Sequence, residues 1–254
     1  MKIAAALTLL CAVAVECAAQ AAPEMVATPN RPTVTSTADT TQLGVLEIEF
    51  GVGAAARQQS LQGLLKFGVL RDLELQWAGS PWQHNATLHQ GGVTDTGLGF
   101  KWRFLHQGKR RPTLSFQYNV KLPTAGAVLG TGQADHIVTL LATKDLPARF
   151  HFDANLNSQW LGRPGGRFDH NWLPDFTLSR SIARKWAIAM EFSGNTRANA
   201  APAVVQNLWA VSYAVKRRLM LDSAVQFRIA GPVPNVTFLA GFTYSIADLY
   251  HRKW

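Results

Sequence analysis

The chain has 254 residues, a formal net charge of +9 and 47% hydrophobic residues, a length that suits one large domain or two small ones. After the N-terminal leader no stretch offers roughly 18 consecutive apolar residues, which excludes helical membrane spans. Both cysteines, Cys11 and Cys17, fall inside that leader. The mature chain is therefore expected to have no disulfide framework, thiol catalyst or cysteine metal site.

Met1-Lys2 is a short basic start, Ile3 to Val15 is apolar or small, and Ala19-Gln20-Ala21 fits the small-x-small rule for signal peptidase. Residues 1–21 read as a secretory signal peptide. Leu10 and Glu16, which precede the two cysteines, are not the small residues that lipidation requires. Residues 22–42 are rich in Ala, Pro, Thr and Ser, show no apolar period, and read as a periplasmic lead-in. Residues 43–254 are assigned to a barrel.

From Leu43 onward the apolar period is two, the signature of strands with two unlike faces. Leu114 to Leu122 is the clearest case, with apolar or aromatic residues at even positions and polar ones at odd positions. Leu98–Phe104, Leu73–Trp77 and Phe150–Asn157 repeat the pattern. The predicted strands are 43–53, 60–69, 71–79, 94–106, 112–122, 133–143, 148–160, 171–182, 184–193, 203–215, 217–229 and 235–245. They predict an all-β fold: a transmembrane antiparallel up-and-down β-barrel of about twelve strands. The connections sort into two alternating sets. One is short and basic, as at Lys216-Arg217-Arg218. The other is mostly longer and rich in Gly, Pro and Asn: 80–93, 123–132, 161–170, 194–202 and 230–234. Short periplasmic turns opposite longer outer loops are characteristic of outer-membrane barrels.

One face of the strands carries the aromatic residues, among them Phe50, Trp77, Phe100, Phe116, Phe152, Phe176, Phe227 and Phe242. Trp77, Trp160, Trp172 and Trp186 fall at or near predicted strand ends, where an amphipathic ring is favoured at headgroup level. The opposite face carries Glu47, Glu49, Lys66, Asp72, Glu74, Lys101, Arg103, Lys121, His151, Asp153, Glu191, Asp222 and Arg228. Charge against lipid is costly, so these are the candidates to line a lumen. Neighbouring strands bring opposite signs together: Glu47 and Glu49 lie one strand from Lys66, and Asp72 and Glu74 one strand from Lys101 and Arg103. Such pairs either line a selective pathway or fill the barrel interior.

Asn30-Arg31-Pro32 through Thr35, Gly44 to Gly51, Phe67 to Leu75 and Thr96 to Trp102, taken in order, resemble the bacterial outer-membrane transporter family named for the MetA pathway of phenol degradation. The resemblance runs over about residues 30–245. It implies an outer-membrane barrel that passes small compounds, aromatic or hydrophobic ones among them, and supplies no catalytic residues.

The sequence presents no constellation that specifies a catalytic or metal site. His151 stands beside Asp153 on the polar face, but no serine presents itself at a matching outward position for a lipid-hydrolysing triad. His84, His89 and His170 lack metal-ligand spacing. The basic runs Lys109-Arg110-Arg111 and Lys216-Arg217-Arg218 fall at short turns, where anionic headgroups suit them better than nucleic acid. The expected function is passive passage of small molecules across the outer membrane, without cofactor, metal or catalytic residue. The expected partners are outer-membrane lipid, a small-molecule solute and the barrel-assembly machinery, which a terminal aromatic such as Trp254 suits. The alternatives are a closed structural or adhesive barrel and a lipid-modifying enzyme.

Overall fold

The computed structural model describes residues 24–87, 89–126, 129–196 and 202–251. The expected signal peptide and Trp254 lie outside the described residues. Thirteen strands form in chain order: β1 Val45–Ala55, β2 Gln58–Leu70, β3 Leu73–Asn85, β4 Gln90–Gly92, β5 Thr96–Leu105, β6 Thr113–Leu122, β7 Asp135–Leu146, β8 Phe150–Arg163, β9 Arg167–Ser181, β10 Trp186–Asn195, β11 Val204–Lys216, β12 Leu219–Ala230 and β13 Val236–Asp248. Each long strand pairs antiparallel with its chain neighbours, and β1 closes the sheet on β13 from Val45↔Asp248 to Ala55↔Thr237. The three-residue β4 only extends β3 beyond the rim, so the barrel itself has twelve strands. No helix among the described residues is long and apolar enough to cross a membrane.

Alternation sets which side chain faces where. Along β1, Val45, Glu47, Glu49, Gly51 and Gly53 are buried, while the residues between them are not. The outward set is apolar: Trp77, Trp102, Phe104, Phe176, Trp186, Trp209, Phe227 and Phe238 are all exposed. A soluble fold would bury such rings, whereas a bilayer covers them. At the short-turn end, cations sit over rings that face outward: Arg180 over Phe150 at 5.0 Å, Lys185 over Tyr213 at 5.7 Å and Arg218 over Tyr244 at 5.3 Å. A ring with a cation over its face suits the boundary between hydrocarbon and headgroups. Trp160, Trp172, Phe168 and His170 gather at the other end.

Two loops differ from their sequence reading. β3 runs on to Asn85 and returns through β4, so much of 80–93 is hairpin, and Trp77 lies within a strand rather than near its end. The expected loop 161–170 contracts to a tight turn, because the β8–β9 ladder continues to Arg163↔Arg167. Gly165 and Gly166, at φ +81° and +71°, supply the left-handed backbone this turn needs.

The largest difference concerns residues 24–44. Given no place in the barrel by the sequence reading, they pack inside it. They begin at the short-turn end, where Ala27 N–H donates to the Arg217 carbonyl, rise into the lumen, cross it, and descend to Leu43, which bridges Gly68 before β1 begins.

Candidate functional site: a lumen threaded by the N-terminal segment

The apolar side chains the segment buries are small, Ala27, Pro32 and Ala38, so its place inside the barrel rests mainly on hydrogen bonds. Its backbone N–H groups meet carboxylates projecting from the wall. Thr28 N–H donates to Glu47 at 3.0 Å, Asn30 and Arg31 N–H to the two oxygens of Glu49 at 2.9 and 3.1 Å, Thr35 N–H to Glu191 at 2.8 Å, and Thr41 N–H to Glu74 at 2.7 Å. Its carbonyls meet wall donors: Lys66 Nζ binds Thr28 O, Lys101 Nζ binds Thr37 O at 3.0 Å and Asp39 O at 2.9 Å, and Ser115 binds Ala38 O. Buried backbone polar groups must find partners somewhere, and between its two ends a segment surrounded by ladders that are already complete finds them mainly in side chains.

The expected opposite-sign neighbours do meet. Lys66 lies between Glu47 at 2.7 Å and Glu49 at 2.5 Å, all three fully or almost fully buried. Lys101 faces Glu74 at 3.8 Å, and Arg103 holds both Asp72 and Asp39 at 2.8 Å. Asp72 lies in the β2–β3 turn. Partial burial pushes its carboxyl up, but hydrogen bonds from Arg103 and His106 outweigh this and hold it below the usual carboxylate range. Near the opposite rim Lys121 joins Asp95 at 3.2 Å and Asp135 at 2.8 Å. Asp95 also accepts the Ala125 and Thr131 N–H groups, which ties the β6–β7 loop to the wall. His151 sits between Asp145 and Asp153 near the turn end. Asp222 accepts from Arg31, and Arg228 stands at the end of β12, opposite Gln206.

Arg31 is the functional residue that the sequence reading did not single out. Its guanidinium reaches Asp222 at 3.4 Å, Gln62 at 3.2 Å and the Ala240 carbonyl at 3.2 Å. It lies against Gly51 and Gly241, which pair directly across β1 and β13, and a Cβ on either glycine would overlap it. Two glycines at lumen-facing positions that pair across β1 and β13 are the signal that could have revealed it. Cavities remain around the segment. One of about 740 Å³ opens near Arg71, Arg103, His151 and Met220 at the turn end. Another of about 350 Å³ is lined by Arg31, Val34, Gln62, Leu64 and Leu239.

Among the described residues no group of three or more His, Cys, Asp and Glu side chains is arranged to hold a metal ion. On the outer wall, however, Ser158 Oγ lies 2.7 Å from His170 Nε2, an outward serine–histidine pair that the sequence reading missed. Trp160 and Trp172 flank the imidazole, and no carboxylate among the described residues hydrogen-bonds its second nitrogen. The pair therefore lacks the group that would orient a general base.

These features define a closed β-barrel of the outer-membrane type whose lumen is occupied by the chain's own N-terminal segment. The chain belongs to the family described as "Putative MetA-pathway of phenol degradation", whose model matches residues 29–246. Solved structures share the fold. The COG4313 outer membrane channel from Pseudomonas putida F1 superposes with a TM-score of 0.67 at 10% identity, covering 84% of this chain and 99% of that one. The NanC porin gives 0.60 at 9% identity, covering 79% and 100%. The KdgM porin, solved in complex with disordered oligogalacturonate, gives 0.58 at 7% identity, covering 79% and 99%. No curated protein matches by sequence.

Proposed function

We propose that the protein is an outer-membrane channel for passive passage of small, aromatic or hydrophobic molecules, held closed by residues 24–44. The short-turn end then faces the periplasm. The observation that carries this reading is the threaded segment. It contacts β1, β2, β3, β5, β6, β7, β10, β12 and β13 through individual hydrogen bonds and ion pairs rather than a continuous ladder or an apolar core. Such an attachment is specific and can be released stepwise. The choice of solute rests on apolar surface within an otherwise polar lumen. Leu208, Ala210 and Ala224 form a buried cluster with Ala189 and Leu239 packed against it, and Leu239 continues into the cavity beside Val34 and Leu64. That cavity, with Arg31, Glu49 and Gln62 on its rim, has the size and mixed lining of a small-ligand site.

The other reading is a permanently closed structural barrel. The fully buried Lys66–Glu47 pair favours it, since a charge so deeply desolvated resists disturbance. Planar-bilayer recordings of the mature chain separate the two. Rare openings that become frequent when the segment is loosened support a channel. A barrel that inserts and stays silent in every variant supports the structural reading. In either case the chain is proposed to act without covalent chemistry or cofactor.

A further inference from the structure

Almost every acidic side chain among the described residues has a basic partner within 4 Å. Inside the barrel Glu47 and Glu49 have Lys66, Glu74 has Lys101, Asp222 has Arg31 and Asp153 has His151; towards the rims Asp95 and Asp135 have Lys121, and Asp169 has Arg163. Asp175 on β9 and Glu191 on β10 are the exceptions, with no cation in reach, and both are buried, at 3% and 0% exposure. They stand on adjacent strands, where Asp175 pairs with Ser193 and Glu191 with Thr177, close enough for their charges to repel. Two buried like charges without a counter-charge are unfavourable, and a hydrogen-bonded water would solvate them without neutralising them.

The same place gathers oxygens that have no hydrogen-bond partner: Asp175 Oδ1, Glu191 Oε1, Asn155 Oδ1 and Thr35 Oγ1. Asn155 pairs directly with Asp175 across β8 and β9, and the Thr35 hydroxyl lies beside Asp175 without closing a bond of normal geometry. The second oxygens of the two carboxylates are engaged. Asn157 Nδ2 donates to Asp175 Oδ2 at 2.8 Å, while Thr35 N–H and Thr177 Oγ1 donate to Glu191 Oε2 at 2.8 and 3.1 Å. These bonds hold each carboxylate in place and leave its other oxygen open. Four open oxygens remain, two of them from carboxylates and none accompanied by a nitrogen or sulfur donor, and they come from β8, β9, β10 and the threaded segment. That is a donor set for a hard cation.

We propose that Asp175, Glu191, Asn155 and Thr35 form a calcium-binding site between the barrel wall and the N-terminal segment. Two carboxylates match a divalent charge, and water can complete the six to eight oxygen ligands calcium takes. Because Thr35 belongs to the segment, an ion here fastens the segment to β8–β10, on the wall opposite the contacts of Arg103. The bound ion thereby stabilises the closed form.

The test is calcium titration of the refolded, full-length mature chain in detergent, followed by calorimetry, with magnesium as the competing ion and the melting temperature recorded in parallel. The expected result is one calcium per chain and a raised melting temperature. Asp175→Asn and Glu191→Gln should each weaken binding at least about tenfold, and Asp153→Asn should leave it unchanged. Wild-type protein that shows neither heat nor a thermal shift at about 10 mM calcium, above the affinity range of weak extracellular calcium modules, overturns the proposal. So does calcium binding that persists at full strength in both Asp175→Asn and Glu191→Gln. Because the wild-type titration needs no variant to fold, a misfolded mutant cannot hide the answer.

Discussion

Replacing Arg31 with alanine should open the barrel. The guanidinium is the side-chain anchor of the segment's rising limb, bonded to Asp222, Gln62 and the Ala240 carbonyl, and only 11% of the side chain is exposed. Removing it also strands Asp222, which is buried and has no other basic neighbour among the described residues. Breaking a buried charge pair by deleting one partner costs about 3–5 kcal/mol. The contact distances here are long, so the low end, about 3 kcal/mol, is appropriate. If the open form lacks these contacts, the closed form loses about that much relative to it. At about 1.4 kcal/mol per factor of ten, the open population rises about a hundredfold. The assay is open probability in single-channel recordings, with folding checked by heat-modifiable gel mobility. Arg31→Lys, which keeps the charge but not the fork, should fall between wild type and alanine. A correctly folded Arg31→Ala barrel with wild-type open probability would refute the reasoning, because Arg31 would then be packing rather than latching.

Other outcomes follow from the same geometry. Gly51→Ala puts a methyl where the Arg31 guanidinium lies, so it should raise open probability, and should raise it less in an Arg31→Ala background, a non-additivity that a double-mutant cycle measures. Lys66→Met leaves Glu47 and Glu49 buried without their cation and should destabilise the barrel, seen as a lower midpoint in urea unfolding. Asp72 has a folded pKa held below its ordinary value, so its contribution to stability is complete above about pH 4 and is lost as pH falls through the lowered value. Asp72→Asn should therefore flatten the acid limb of a stability–pH profile and leave the neutral region similar in shape. Ser158→Ala should leave permeation unchanged, since its hydroxyl meets His170 on the outer wall and not in the lumen.

The fold was legible because strand alternation is local. Leu114–Leu122 announces which face is polar without reference to any other strand, and the pairing Phe116↔Leu140 follows once neighbours are taken in chain order. The ion pairs of Lys66 and Arg103 were legible for the same reason, since antiparallel neighbours fix which side chains can meet. Residues 24–44 were not. Their structure depends on donors and acceptors supplied by many distant strands, and a segment of Thr, Pro, Ala and Ser reads alike whether it is solvated or threaded through a lumen. The clue lay on the wall. Glu47 and Glu49 together exceed what Lys66 can neutralise, and the surplus oxygens accept the segment's N–H groups. His170 was passed over because β9 was drawn from residue 171, which left His170 in a loop instead of on the ladder diagonal to Ser158.

The most direct test of the central claim joins the segment to the wall covalently. Thr37 Oγ1 and Thr143 Oγ1 lie 3.2 Å apart, close enough for cysteines at those positions to form a disulfide, and the mature chain is expected to contain no other thiol. In an Arg31→Ala background carrying Thr37→Cys and Thr143→Cys, conductance would be recorded before and after a reductant is added. The account expects a silent oxidised barrel that opens on reduction and falls silent again on reoxidation. Equal conductance in the oxidised and reduced states would mean that the threaded segment does not close the channel.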